Sequence, residues 1–311
     1  MLTRRQFLTH AAGGVAALGL AACSPYWQRR RPDMDNAQTG TVVAIDRANG
    51  VVRGVLGTGE EITAPFFRDW ARMPWPLAQA VFRQDRGTWL CLGPIGARRR
   101  VFRDDFTRVG AATFYGDTPW TLAAGTAAAA TTGIGAVRIT SANAGLVSTN
   151  GRLVKDASLS LGSAAGTAFW LSGSAAPQDA DAAPFIGWNI NSDIIAGENI
   201  QLVGGPGAIG LGLACQDSTS DQIQIPTSPF VVGQFNTYDL LFAEGQWVAG
   251  WVDGDGPYSI TTGTSVPNLG PLIPGIGVLA PALTTLRVDW DWVQSSIVTT
   301  FADPSLFTPP T

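Results

Sequence analysis

From Gly40 onward the apolar residues fall in short runs broken by Gly, Asn, Asp and Pro, the pattern of strands joined by tight turns. The most informative stretch is 238–256. Tyr238 to Ala243 and Trp247 to Val252 read as two strands joined at Glu244-Gly245, with a second turn at Asp253-Gly254. Asp-Gly between apolar runs favours a hairpin because glycine supplies the positive φ such turns need. A partner strand is expected at Leu286 to Gln294. There Leu286, Val288, Trp290 and Trp292 point one way, and Arg287, Asp289, Asp291 and Val293 the other. A period of two marks a strand with one buried face. Together these runs predict an antiparallel β-sandwich.

The same pattern divides the chain. Residues 34–97 hold strand candidates at 41–46, 51–56, 61–64, 78–83 and 88–93, with a short helix expected from Phe66 to Met73, stopped by Pro74 and Pro76. Short strands with a helical insert predict a small closed barrel of the OB type, in which closure removes exposed edges. Residues 98–103 read as a linker. Residues 104–300 carry further strands near 120–122, 136–140, 157–161, 167–171, 184–190, 200–203, 209–215, 220–225 and 276–280. Strands at such spacing predict a jelly-roll sandwich. Residues 124–135 are expected to form a loose loop, and 301–311 a free tail. The expected class is all-β.

Charge and composition then exclude functions. The net charge is −4, and the arginines cluster only at 29–31 and 98–100, so no basic face for nucleic acid is expected. The one histidine is His10. If the first 33 residues lie outside the fold, a Ser-His-Asp triad, a Cys-His pair and a His-bearing zinc site are all excluded. Carboxylate chemistry is not. Cys23, Cys91 and Cys215 lack metal-ligand spacing, and the last two sit in apolar runs as small buried residues.

Residues 1–33 are signal-like or non-native to the fold. Thr3-Arg4-Arg5-Gln6-Phe7-Leu8 resembles a twin-arginine export motif, Ala11 to Ala22 is apolar, and Leu20-Ala21-Ala22-Cys23 resembles a lipoprotein cleavage box. Cys23 would then be the lipidated residue of an exported protein. The alternative is a start at Met34, which leads directly into the first strand.

The ordered set Gly40-Thr41-Val42-Val43, Gly50 to Gly54, Glu61 to Pro65 and Trp89 to Gly93, followed by Asp104-Asp105-Phe106, resembles minor tail proteins of actinobacterial phages. That resemblance implies an OB-like barrel followed by a concanavalin A-like lectin/glucanase sandwich. It also implies a virion tail location, neighbouring tail subunits as partners and a cell-surface glycan as target.

Candidate site residues follow from side-chain chemistry. Trp247 and Trp251 share a strand face, and Trp188 lies beside Asn189 and Asn191. Aromatic rings and amides suit a glycan. Asp253 and Asp255 place two hard oxygen donors on a turn, so Ca²⁺ is the one cofactor the sequence suggests; Asp104-Asp105 has the same look. Glycan hydrolysis needs paired carboxylates. The nearest pair is Asp289 with Asp291, without the Glu-x-Asp-x-x-Glu pattern of the glucanases on this fold. The expectation is therefore a structural or adhesion protein that is not an enzyme. Its alternatives are a lipid-anchored envelope lipoprotein with a sugar-binding sandwich, and a glycoside hydrolase.

Overall fold

The computed structural model describes residues 36–69, 72–108, 116–130, 135–141, 148–155, 166–188, 199–204, 211–216, 220–225, 230–261, 273–281 and 284–307. Strands β1 (Ala37–Asp46), β2 (Val51–Leu56), β3 (Glu61–Pro65), β4 (Gln79–Asp85) and β5 (Thr88–Pro94) form one sheet in the order β3-β2-β1-β4-β5. A parallel bridge between Phe66 and Cys91 joins its two ends, so the sheet closes on itself. Alternating residues of β2 and β3 fill the barrel with Val52, Leu56, Ile62 and Ala64 around Phe82. The helix expected at 66–73 is absent from its described residues, which keep one turn where Met73 N donates to Asp69 O at 2.9 Å. Pro74 and Pro76 stop a helix there, and Trp75 and Leu77 are spent on a different contact, described below.

The remaining strands build a two-sheet sandwich. They are β6 (Arg98–Asp104), β7 (Trp120–Ala124), β8 (Thr126–Ala129), β9 (Val137–Thr140), β10 (Ser148–Lys155), β11 (Thr167–Pro177), β12 (Ala183–Trp188), β13 (Asn199–Val203), β14 (Leu211–Gln216), β15 (Ser220–Ile225), β16 (Asn236–Ala243), β17 (Trp247–Val252), β18 (Asp255–Ile260), β19 (Pro274–Pro281) and β20 (Arg287–Thr299). One sheet has the order β15-β14-β13-β12-β19-β10-β7; the other runs β18-β17-β16-β11-β20-β9-β8, with β6 also on β20. Phe242, Trp188, Tyr238 and Trp290 meet between them. The chain is all-β, with a jelly-roll sandwich after a small barrel, as the sequence predicts.

Several expectations fail locally, each for a visible reason. Residues 98–103 are not a linker: they are β6, paired with the far half of a β20 long enough to take a second neighbour. The tail is docked through residue 307. Phe301 bridges Ala78, Ala302 N donates to Leu77 O at 2.9 Å, and Pro304 is buried. The loose loop contains β8. The strand expected at 157–161 lies outside the described residues, and β10 and β18 escaped the pattern altogether.

The closing strand departs from strict alternation. Ser174 pairs with Trp292 and Ala175 with Trp290, so Asp291 is an extra residue, a bulge. It shifts the phase by one. Val288 and Trp290 point into the core, but beyond the bulge Val293 takes the inward place and Trp292 turns out.

The barrel packs on the outer face of the eight-stranded sheet. Trp170, Leu241, Trp247 and Trp251 meet Ala44, Trp75, Leu77 and Ala78. A tryptophan removes roughly 150–250 Å² from water, so this seam is an apolar core in its own right. Polar contacts fix its register. Trp251 Nε1 donates to Val43 O at 2.9 Å, and Arg47 pairs with Asp239 through two bonds of 2.5 and 2.8 Å. Trp170 Nε1 donates to the same carboxylate at 2.8 Å.

Candidate functional site

At the border of the seam, the turn between β17 and β18 presses on the barrel. Asp253 has φ 50° and Gly254 φ 80°. A Cβ on Gly254 would lie 2.9 Å from Ile45 O, so only glycine fits this approach. A cleft of about 320 Å³ opens beside it, lined by Asp46, Arg53, Thr63, Asp253, Gly254 and Asp255. The volume is at the small end of ligand sites. Arg53 Nη2 crosses the cleft to Gly256 O at 2.9 Å.

The cleft carboxylates differ in environment. Asp253 accepts from Thr237 N at 2.6 Å and from Asn236 Nδ2 at 2.8 Å. Burial, with the charges of Asp46 and Asp239 adding to it, nonetheless pushes its carboxyl above the usual range. Asp255 is exposed and accepts from Tyr258 Oη at 3.1 Å. Burial and that bond push the Tyr258 phenol up to about 12. Asp46 binds Asn49 through both oxygens, at 2.9 and 2.6 Å. One carboxyl biased toward its proton beside two others is the arrangement from which general acids are made.

The other predicted residues are placed elsewhere. Trp247 and Trp251 are 3% and 1% exposed in the seam, so neither offers a ring face to a glycan. Trp188 is fully buried between the sheets against Phe242, again no ligand platform. Asn189, Asn191 and Cys23 lie outside the described residues. Asp289 is fully buried and grips Arg138 through bonds of 2.7 and 2.8 Å, so it is a structural ion pair, while Asp291 is the exposed bulge residue. The two therefore do not work as a pair. Asp104 is a buried staple: its carboxylate accepts from Phe106 N, Asp117 N, Thr118 N and Trp120 Nε1. Among the described residues no group of three or more His, Cys, Asp or Glu could hold a metal ion.

Sequence reading missed the partners that make the cleft. Asp46, Arg53 and Thr63 come from the barrel, and nothing in their local pattern points at a turn some two hundred residues away. It also missed the outer face of the seven-stranded sheet. Ile200 and Leu202 point inward there, leaving Asn199, Gln201 and Val203 on the outside beside Phe185 and Leu279. Gln201 is fully buried, and both ends of its amide lack a hydrogen-bond partner. Its strand neighbours are Gly187 and Ala214. A Cβ on Gly187 would lie 2.0 Å from Ile200 O, so this spot requires glycine.

No protein-family model matches the chain, and no curated protein matches it. Solved structures similar to it include a non-specific endo-β-1,3(4)-glucanase of family GH16, 14% identical over 64% of this chain and 91% of that one, with a TM-score of 0.45. A β-1,3-glucanase from Mycobacterium marinum is 13% identical over 63% of this chain and 98% of the other, TM-score 0.42. A laminarinase from a Flavobacterium species is 12% identical over 65% and 100%, TM-score 0.44. The expectation that the chain is not an enzyme is corrected at this point: these solved structures are two glucanases and a laminarinase. At such identity the likeness concerns the fold alone: an all-β chain with a jelly-roll sandwich.

Proposed function

We propose that the chain is a glycan-directed protein whose chemistry is glycoside hydrolysis in the cleft between barrel and sandwich. The observation that carries this reading is Asp253, a carboxyl raised by burial in a cleft that also holds Asp46 and Asp255. Hydrolysis of a glycosidic bond needs one carboxylic acid to protonate the leaving oxygen and one carboxylate to attack or to activate water. In this reading Asp253 is the acid and the exposed Asp255 the second carboxylate. Arg53 and Thr63 orient sugar hydroxyls.

The test is release of reducing ends from a panel of β-glucans and cell-wall polysaccharides. Wild type is expected to release them, with Asp253→Asn and Asp255→Asn each losing at least about a hundredfold, within the range that general acid catalysis supplies. Asp291→Asn should be unchanged. Activity that survives both cleft substitutions, or wild-type protein inert on every polysaccharide, would overturn the proposal.

For the place of action we propose the virion tail, with neighbouring subunits and a cell-surface glycan as partners. The alternative is the cell envelope, with the chain tethered through an acylated Cys23. The intact mass of the native protein separates the two: a chain starting at Met34 supports the first, and a diacylated Cys23 the second.

A further inference from the structure

The cleft between barrel and sandwich selects by charge. Its lining holds three carboxylates, Asp46, Asp253 and Asp255, one guanidinium, Arg53, and no aromatic ring. A sugar is therefore not held here by stacking on a ring face, which leaves hydrogen bonds and charge to choose it.

No arginine pairs with these acids. The ion pairs of the described residues are made elsewhere, by Asp69, Asp105, Asp179, Asp239 and Asp289. Asp46 accepts from Asn49, Asp253 from Asn236 and from Thr237 N, and Asp255 from Tyr258 Oη, all neutral donors. Arg53 commits its Nη2 to Gly256 O. Even with Asp253 holding its proton, two carboxylates share the lining with one guanidinium. Burial raises the Asp253 carboxyl, and the charges of Asp46 and Asp239 raise it further, so negative potential reaches into the cleft. A cleft lined by one sign of charge concentrates ligands of the other.

Acceptors are in excess as well. A carboxylate offers about four acceptor sites, and the bonds above fill no more than two on each. Behind Asp253, Asn236 is 8% exposed, and its Oδ1 is without a hydrogen-bond partner. What the lining lacks is a ligand that brings donors and positive charge. An ammonium group brings three donors and no acceptor.

We propose that the glycan taken by this cleft carries free amino groups, a glucosamine-type sugar whose ammonium pairs with Asp46 on the barrel wall. The inference rests on the reading of the cleft as a glycan site and names its substrate class: Asp46 selects the sugar, while Asp253 and Asp255 keep the roles given above. N-acetylation removes the charge and all but one of the donors, and a uronic acid brings the wrong sign.

The test is calorimetric titration of the full chain at low salt with a glucosamine tetramer, its N-acetylated counterpart and a galacturonate tetramer. The glucosamine tetramer is expected to bind about tenfold tighter than the acetylated one, the galacturonate tetramer weakest of the three, and added salt should shrink the difference. Asp46→Asn keeps an oxygen for Asn49 N and should lose most of the preference. Arg53→Gln removes the one cation of the lining and should widen it. Equal binding of the glucosamine and acetylated tetramers, binding of neither, or a preference that neither substitution moves would overturn the proposal. Failure of the hydrolytic reading looks different: the preference would hold in a chain that releases no reducing ends. Neutral glucan cleaved with no preference for charge would sink this inference and leave hydrolysis standing.

Discussion

The two outer faces of the sandwich are made from different materials. The face of the eight-stranded sheet carries Trp170, Trp247 and Trp251 and disappears beneath the barrel. The face of the seven-stranded sheet mixes a small apolar cluster of Phe185, Val203 and Leu279 with Gly187, Ala214 and the amides Asn199 and Gln201. Aromatic rings on an outward strand face look like a sugar platform in a sequence. Here they mark the place where one domain buries another. A large apolar face is costly to leave in water, so the first question to ask of it is what covers it.

Breaking the aromatic face should have the largest effect. Trp251 fills the seam and its Nε1 satisfies Val43 O. Trp251→Ala leaves a cavity and an orphaned carbonyl, and about 4 kcal/mol of stability should be lost. Urea unfolding should then show the barrel parting before the sandwich. A single transition with an unchanged midpoint would mean that the barrel contributes nothing to the sandwich.

The next effect isolates the seam's charge. Asp239→Asn keeps the shape and leaves Arg47 buried without its counter-charge, at a cost of about 3 kcal/mol. Replacing Arg47 by Met in the same protein should recover much of that loss, because an apolar stem can fill the space between Trp170 and Trp292. Equal losses for the single and the double variant would show that the pair holds no more than its atoms.

What could be read in the sequence follows from the same contrast. Strands β2 and β15 occupy the residues their alternation marks out, because each is patterned by near neighbours. The closing strand was legible only as far as Trp290. The bulge at Asp291 comes from pairing with β11, so the outward turn of Trp292 could not be foreseen from alternation. The tryptophans were visible and their burial was not, since burial depends on a barrel docked from far along the chain. Asp253 and Asp255 were legible as a turn. Their meeting with Asp46 and Arg53 is long-range, and no local pattern encodes it.

On the amide face the expected change reverses sign. Gln201 is buried with both polar ends unmet, so Gln201→Leu removes a desolvation cost and keeps the volume. The variant should be more stable by about 1 kcal/mol in chemical denaturation. A loss of similar size would mean that the amide is satisfied in solution by water or by a bound molecule, which would make this face a site.

The smallest effect sits at the border of the seam and depends on pH. Because Asp253 is raised in the folded chain, the folded state holds a proton there more tightly than the unfolded state does. Stability from this group is therefore greatest at acid pH and falls as pH rises through the carboxylate range. Asp253→Asn removes the titration. Its Oδ1 can still accept from Thr237 N, and its new amide can donate to Asn236 Oδ1, which is buried and unmet, once that side chain flips. The variant should match wild type near pH 3 and exceed it slightly at pH 7, by less than about 1 kcal/mol because Asp253 sits at the rim of the cleft, with its carboxyl only partly buried and the rest of the residue open to solvent. Paired with the loss of glycan cleavage expected of the same variant, this is the pattern of a group kept for chemistry at some cost to the fold. A variant less stable at pH 7 by the same margin as at pH 3 would instead assign Asp253 to holding the turn.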